Sequence, residues 1–182
     1  MLSEAKHLWF ISMDDRHTDN QRFFASLRMT WRDGCRVLHH NMSNQIVIRE
    51  FYIDDYDDVL QLWQTVEGLE IAEGDDREGI AQFLAHNPGL SRLAIDGSKV
   101  VGVSMCGNDG RRGHIYHVAV DPAYRRYGLG KRLVQECLDG LRRVGIMRVI
   151  ILVADYNLGG AEFWKRAGWE DIPGAVPMGI DV

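Results

Sequence analysis

The chain has little of what marks a secreted or membrane-spanning protein. It contains 3 cysteines and 4 prolines in 182 residues. Cys35, Cys106 and Cys137 are widely spaced, and they form neither a disulfide framework nor a metal-binding pattern. No apolar run approaches the length needed to cross a bilayer, and the apolar stretch at 8–11 is too short for the core of a signal peptide. We therefore expect a cytoplasmic protein without a membrane contact.

Positive charge is also scarce. Lys and Arg number 21 against 26 Asp and Glu, which gives a formal net charge of -5. This surplus of negative charge argues against broad nucleic-acid binding. The arginine pairs at 111–112, 125–126 and 142–143 are accordingly interpreted as scattered charge and not as a nucleic-acid-binding surface. The apolar fraction of 46% and the length are typical of one globular domain.

The first 41 residues differ from the rest of the chain. Aromatic and arginine residues are interspersed there without a sustained period of two or 3.6, and regular patterning begins only after Met42. We expect residues 1–41 to be an extension without a catalytic part and residues 42–182 to form the domain. Two explanations stay open: an upstream start codon with Met42 as the true start, or a small element that docks its aromatic side chains on the domain or a partner.

The patterning downstream of Met42 predicts the order β-α-α-β-β-β-α-β-α-β-β, an α/β arrangement. Asp54 or Asp55 could cap the first helix. The near-continuous apolar run at 148–153 is typical of a strand buried on both faces, and two short strands are expected around Trp169 and at 175–180. The other predicted strands lie at 46–51, 92–95, 100–106 and 114–120, and the other helices at 76–85, 129–145 and 160–166.

The most informative stretch follows the strand that ends at Val120. A tight turn leads into a basic loop with two glycines, and the loop opens directly into a helix. Helix starts leave backbone N–H groups unpaired and carry partial positive charge. Gly128 and Gly130 have no side chain to keep a phosphate away from those groups. Four cations surround the same point: Arg125, Arg126, Lys131 and Arg132. The stretch predicts that a phosphate ester binds at the start of this helix.

The spacing of this loop fits one of three phosphate-binding patterns. A Walker A loop needs a glycine at position 125 and Ser or Thr at 132, and a dinucleotide loop needs a glycine at 133; the chain has none of these. Arg125, Gly128 and Gly130 instead form Arg-x-x-Gly-x-Gly after an apolar strand that ends in Asp-Pro. This pattern resembles the acetyl-CoA pyrophosphate loop of the GNAT superfamily of N-acetyltransferases.

A second segment carries the same resemblance. Residues 157–169 are similar to the family's Asn-x-x-Ala-x-x-x-Tyr-x-x-x-Gly-Phe pattern. Asn157 and Gly168 match it, whereas Trp164 stands where Tyr is common. The resemblance covers residues 44–182. It implies an α/β (α+β) GNAT fold, with a mixed central sheet of six to seven strands, splayed between the fourth and fifth and flanked by four helices.

The resemblance also implies a reaction and a cofactor site. The expected activity is transfer of acetyl from acetyl-CoA to a primary amine by direct attack in a ternary complex, with a backbone N–H near Val118 as oxyanion donor. The alternative is a non-catalytic module that binds acyl-CoA. The implied cofactor-binding residues are Val118, Ala119, Val120, Arg125, Arg126, Tyr127, Gly128, Leu129, Gly130, Lys131, Asn157 and Trp164.

No residue is an unambiguous general base. The carboxylate that some relatives carry falls near Leu152, and His114 stands where others place a glutamate. His114 and Tyr116 alternate onto one face, and His117 faces the other unless a bulge reverses it. His114 and His117 diverge and lack a third ligand, so no metal site is expected. The candidate bases are therefore His114, Tyr116 and His117.

The general acid is equally open. Trp164 cannot release a proton at neutral pH. Either Tyr156 or Tyr124 replaces the missing tyrosine, or CoA leaves as thiolate and takes its proton from water.

Acidic residues far outnumber basic ones between positions 50 and 78. In this fold the first two helices and their linker usually form one side of the acceptor site. A negative surface there would concentrate cationic amines. We therefore expect a cationic acceptor, which could be polyamine-like, aminoglycoside-like or a basic peptide. A homodimer is left open.

Overall fold

The computed structural model describes residues 46–66 and 69–180. The expected extension at 1–41 lies outside the described residues. The described part forms one five-stranded mixed sheet with four α-helices. The strands are β1 (Ile46–Glu50), β2 (Arg92–Asp96), β3 (Lys99–Asn108), β4 (Gly113–Val120) and β5 (Val149–Ile150). The helices are α1 (Tyr56–Thr65), α2 (Arg77–His86), α3 (Leu129–Arg143) and α4 (Leu158–Arg166).

The sheet has the order β1-β2-β3-β4-β5. The first four strands are antiparallel, and β5 runs parallel to β4. This last pairing joins only Gly113 with Val149 and His114 with Ile150. From Ile115 onward, β4 has no strand neighbour on that side within the described residues. The predicted separation of the fourth and fifth strands is therefore present, and it leaves backbone groups of β4 without a sheet partner.

The prediction of six to seven strands is wrong, because the described residues form five. The segments around Trp169 and at 175–180 are not strands, and the apolar run at 148–153 pairs over only two residues. Val176 and Met178 are 82% and 96% exposed. An alternating sequence becomes a strand only where a neighbouring strand meets its backbone groups, and 175–180 has no such neighbour among the described residues.

Helices cover both faces of the sheet. On one face, α1 and α2 enclose a core that includes Val59, Trp63 and Ile80. On the other, α3 packs Val134, Cys137 and Leu141 against the sheet, and Trp164 of α4 joins them. The apolar residues of α1 and α3 recur every three or four positions, which places each set on one side of its helix.

The two first helices begin differently. The Asp76 carboxylate caps α2 by accepting a hydrogen bond from Gly79 N at 2.8 Å. Asp55 directly precedes α1, but the expected cap is wrong because its carboxylate makes no bond to that helix. It binds the Arg49 guanidinium at 2.6 and 2.7 Å and accepts a bond from Tyr52 N. The start of α1 is thus fixed to β1 by an ion pair.

Candidate active site

The loop between β4 and α3 leaves backbone N–H groups open to a ligand. Arg126 and Gly128 have φ angles of 69° and 77°, in the left-handed region that favours glycine. The first hydrogen bond of α3 joins Arg132 N to the Gly128 carbonyl at 3.1 Å. The N–H groups of 129–131 therefore precede it and have no carbonyl acceptor in the described part of the chain. Such a helix start can hold an anion.

Arg125 fixes this loop to the end of β4. Its Nε donates to the Val120 carbonyl at 3.0 Å, and its Nη2 is buried without a hydrogen-bond partner among residues 46–66 and 69–180. In contrast, the Arg126, Tyr127 and Lys131 side chains are exposed. Both arginine contacts stay predictions: Arg125 offers a buried Nη2 without a partner among the described residues, and Arg126 offers an exposed guanidinium.

A bulge interrupts the pairing of β3 with β4. Val103 lies opposite Ala119, whereas Met105 lies opposite Tyr116, so β4 contains one extra residue. His117 occupies this position with a φ of 43°. The bulge places Tyr116 and His117 on the same face, towards α1 and α2. The sequence predicts that His117 faces away from His114 and Tyr116 unless a bulge reverses it, and this bulge does so.

His117 is enclosed rather than open to a substrate. It is 1% exposed, and its ring lies 4.8 Å from that of Trp63. Its Nε2 lies 2.8 Å from Asp75 Oδ1, and Asp75 is equally buried. Sequence reasoning missed Asp75 as a partner, because no local signal separates it from the neighbouring carboxylates. This buried pair joins β4 to the segment between α1 and α2.

His114 and Tyr116 form a half-buried aromatic surface beside the bulge. Their rings stack at 5.8 Å with an interplanar angle of 15°, and Phe83 of α2 meets Tyr116 edge-on. Burial raises the pKa of the Tyr116 hydroxyl. At neutral pH Tyr116 therefore keeps its proton.

Tyr156 meets the α1–α2 segment from the other side. It is 59% exposed, and its hydroxyl donates to Glu70 Oε1 at 3.3 Å. Partial burial and the negative charge of Glu70 raise the pKa of Tyr156. Tyr124, the other candidate acid, donates to Asp96 Oδ2 at 2.8 Å, a bond that raises the pKa of Tyr124. Tyr156 thus keeps its proton at neutral pH beside the acidic segment.

Asn157 and Trp164 both have structural contacts. The Asn157 side chain caps α4 by accepting a bond from Gly160 N at 2.8 Å. Trp164 is 2% exposed and packs edge-on against Phe163 and Trp169. Within the described ranges, Asn157 Nδ2 and Trp164 Nε1 are buried donors without a hydrogen-bond partner. Buried donors of this kind are uncommon and can mark the place of a missing acceptor.

A groove beside β5 has a volume of about 990 Å³. It is lined by residues of α3 and α4 and by residues 147–153, 167–172 and 175–177. It contains Trp164 but no residue of β4 and none of the loop at 125–131. The groove is therefore distinct from the surface that carries the candidate catalytic residues.

Two further findings concern the described residues as a whole. No group of three metal-ligating side chains occurs among residues 46–66 and 69–180. In the same ranges, no helix combines the length and the apolar character needed to cross a membrane.

Comparison with known proteins identifies the family. Residues 46–169 match the model of the acetyltransferase (GNAT) family. An acetyltransferase from Photorhabdus laumondii is 31% identical over 125 residues, covering 68% of this chain and 86% of the relative. Ard1 from Thermoplasma volcanium has a similar structure, with a TM-score of 0.60 at 24% identity over 68% of this chain and 82% of its own.

A further structural neighbour is the PaiA N-acetyltransferase from Thermoplasma acidophilum in complex with coenzyme A. Its TM-score is 0.60 at 19% identity, and the likeness covers 71% of this chain and 93% of the neighbour. At these identities the structural likeness concerns the fold.

The mixed sheet, the loop before α3 and these matches define the class of protein. The chain belongs to the GNAT acetyltransferase family and is an acetyl-transferring enzyme.

Proposed function

We propose that this enzyme transfers an acetyl group from acetyl-CoA to the primary amine of a small cationic molecule or a peptide. The amine attacks the thioester directly while both substrates are bound. Two observations carry this proposal together: the N–H groups of 129–131 are open at the start of α3, and β4 has no pairing with β5 beyond His114 among the described residues. One site can thus hold an anion at the helix start and an extended arm along β4.

The described residues fit acetyl-CoA, which would supply an activated acetyl group. The amides at 126–131 would hold its pyrophosphate, with charge from Arg126 and Lys131. The backbone of 118–120 would pair with the pantetheine arm, and a backbone N–H near Val118 would donate to the thioester carbonyl oxygen. The buried donors Asn157 Nδ2 and Trp164 Nε1 would find acceptors on the same arm.

The acidic segment favours a cationic acceptor. Glu70 and Asp75 both lie in it and reach Tyr156 and His117. Deprotonation of a lysine-type amine, with a pKa of about 10.4, costs about 4.6 kcal/mol at pH 7, whereas an α-amino group near 8 costs about 1.4 kcal/mol. A lysine-like acceptor therefore depends on a general base more than an α-amino acceptor does.

We assign the catalytic roles from the solvent exposure of each candidate side chain. His114 is the half-buried imidazole on the acceptor side, so we assign it the general base, acting directly or through water. His117 is enclosed by Trp63 and Asp75, which removes it from contact with an amine. Tyr156 is the exposed hydroxyl beside Glu70, and we assign it the proton donor to the leaving thiolate.

The test is a panel of amines mixed with acetyl-CoA and the enzyme, with release of free thiol as the readout. The panel contains polyamines, aminoglycosides and basic peptides, with neutral amines for comparison. We expect turnover with at least one cationic amine and a loss of about 100-fold in His114→Ala, within the usual range for a general base. His86→Ala is the matched control, because His86 is an exposed histidine of α2. Stabilisation by acetyl-CoA without turnover of any amine would contradict the proposed reaction.

A further inference from the structure

We propose that Asp75 is a positioning residue that maintains the β4 bulge through the side chain of His117. The inference rests on the proposed function, since the bulge matters for catalysis only if the backbone of β4 meets acetyl-CoA. Asp75 lies between α1 and α2, 42 residues before His117. It would therefore control a cofactor-binding strand from the acceptor side of the enzyme.

The conformation of His117 needs support from its surroundings. Its φ of 43° lies in the left-handed region, which costs free energy for any residue with a Cβ. Such a conformation persists only where neighbouring contacts determine it. The contacts that hold it include those with Asp75, whose Oδ1 lies 2.8 Å from Nε2, and with Trp63, whose ring lies 4.8 Å from the imidazole ring.

Asp75 is itself held in several directions. Its Oδ2 accepts a hydrogen bond from Ala72 N at 2.9 Å, and its own N–H donates to the Ala72 carbonyl at 3.1 Å. The Asp75 carbonyl accepts a bond from the Tyr56 hydroxyl at 2.9 Å. A carboxylate fixed in this way can act as a rigid partner, because it cannot follow the imidazole if β4 shifts.

Loss of the bulge would change which groups β4 presents. Ala119 packs towards α1 and α2, whereas Val118 and Val120 pack towards α3. A one-residue slip of a strand moves every side chain to the opposite face. The same slip would exchange the backbone groups of 118–120 that face β3 with those that face the gap beside β5. The bulge at His117 therefore sets which amides are available to acetyl-CoA.

The first experiment measures acetyl-CoA binding by calorimetry without any amine. We expect Asp75→Ala to weaken binding about tenfold, equivalent to about 1.4 kcal/mol. Asp75→Asn should stay within about threefold, because its carbonyl oxygen can accept from Ala72 N while its amide donates to His117 Nε2. Asp58→Ala is the matched control, since Asp58 is an exposed carboxylate of α1. Equal affinities of wild type and Asp75→Ala would overturn the inference.

The second experiment compares two variants at position 117. His117→Gly and His117→Ala both remove the imidazole, but only glycine adopts a φ near 43° without strain. We expect His117→Gly to bind acetyl-CoA about fivefold more tightly than His117→Ala. Adding Asp75→Ala to His117→Gly should have little further effect, because Asp75 acts through the imidazole. Equal affinities of the Gly and Ala variants, or a full additional loss in the double variant, would overturn the proposal.

A third readout does not depend on acetyl-CoA. Hydrogen exchange of the peptide covering β4 should be faster in Asp75→Ala than in wild type and unchanged in Asp75→Asn, because the backbone of an unfixed bulge opens more often. Failure of the wild type to bind acetyl-CoA would contradict the proposed function itself. Normal wild-type binding with unchanged exchange in Asp75→Ala would contradict only the role of Asp75.

Discussion

The two sides of β4 are assembled from residues with different separations along the sequence. The proposed anion-binding side comes from consecutive residues, in which a turn at Asp121, the loop and the start of α3 follow one another directly. The proposed acceptor side comes from residues far apart in sequence. Asp75 and His117 are separated by 42 positions, and Glu70 and Tyr156 by 86.

This difference affects how each side responds to mutation. A local site changes when the residue that touches the ligand changes, because the neighbouring backbone supplies most of its groups. A site made of distant segments also changes when a packing residue moves one segment relative to another. We therefore expect direct effects at the loop and indirect effects around the α1–α2 segment.

The largest effect is expected at the loop. Gly130 is buried at the first turn of α3, so a Leu side chain there must displace its neighbours and with them the open amides that the ligand would need. We expect Gly130→Leu to weaken acetyl-CoA binding more than about 100-fold, or about 2.7 kcal/mol, by calorimetry.

Gly179→Leu is the control for this prediction, because a Cβ at Gly179 meets no atom within 4 Å. Circular dichroism checks that both variants fold, and Gly130→Ala is a milder substitution at the same place. Retention of wild-type affinity in a folded Gly130→Leu would contradict the assignment of the loop.

The next effect probes the acceptor side through packing alone. A Cβ at Gly79 would overlap the Gly74 carbonyl oxygen, so Gly79→Ala must displace the turn that carries Asp75. We expect a loss of about 1–3 kcal/mol in the free energy of unfolding, measured by urea denaturation.

The sign of this effect is diagnostic, because Gly→Ala at an open helix position stabilises by up to about 1 kcal/mol. Gly140→Ala in α3 is the comparison, since its nearest contact is a flexible Leu90 methyl at 3.1 Å. A gain of stability in Gly79→Ala would show that the turn is not constrained as described.

A smaller effect concerns Tyr156 and Glu70. If Tyr156 protonates the leaving thiolate, Tyr156→Phe should lower kcat about tenfold or more while leaving acetyl-CoA binding unchanged.

Glu70 contributes to the raised pKa of Tyr156, so Glu70→Gln should lower that pKa. The decline of kcat at alkaline pH should then begin at a lower pH than in wild type, where it follows a group titrating above about 10. Identical pH–kcat profiles would show that Glu70 does not influence the pKa of the group that protonates the leaving thiolate.

The smallest effect is expected at the start of α1. The hydrogen bonds from Arg49 hold the pKa of Asp55 below its ordinary value. A lowered folded-state pKa stabilises the protein above the unfolded value near about 4, and this contribution disappears as the pH falls through the folded-state pKa. Asp55→Asn should therefore cost about 1 kcal/mol or less at pH 7.

The measurement is Tm of wild type and Asp55→Asn from neutral to acidic pH. The difference should close as the pH falls through the folded-state pKa. A difference that stays constant at acid pH would assign the effect to packing rather than to the Arg49 pair.

Much of the fold could be predicted from short-range patterns. The helix expected at 76–85 is α2 at Arg77–His86, and the strands expected at 92–95 and 100–106 are β2 and β3. These predictions succeed because caps, turns and apolar periodicity act within a few residues. The strands expected around Trp169 and at 175–180 fail for the opposite reason, because a strand needs a partner that the sequence does not specify.

The sequence by itself determined the loop of open amides before α3. Gly128 and Gly130 at the start of an amphipathic helix suffice for open amides, since the geometry of a helix start is local. Only the tertiary structure decided that His117 turns towards α1 and that Asp75 meets it. A bulge and a buried pair depend on how distant segments pack, and their free energy comes from contacts that exist only after the sheet and helices have assembled.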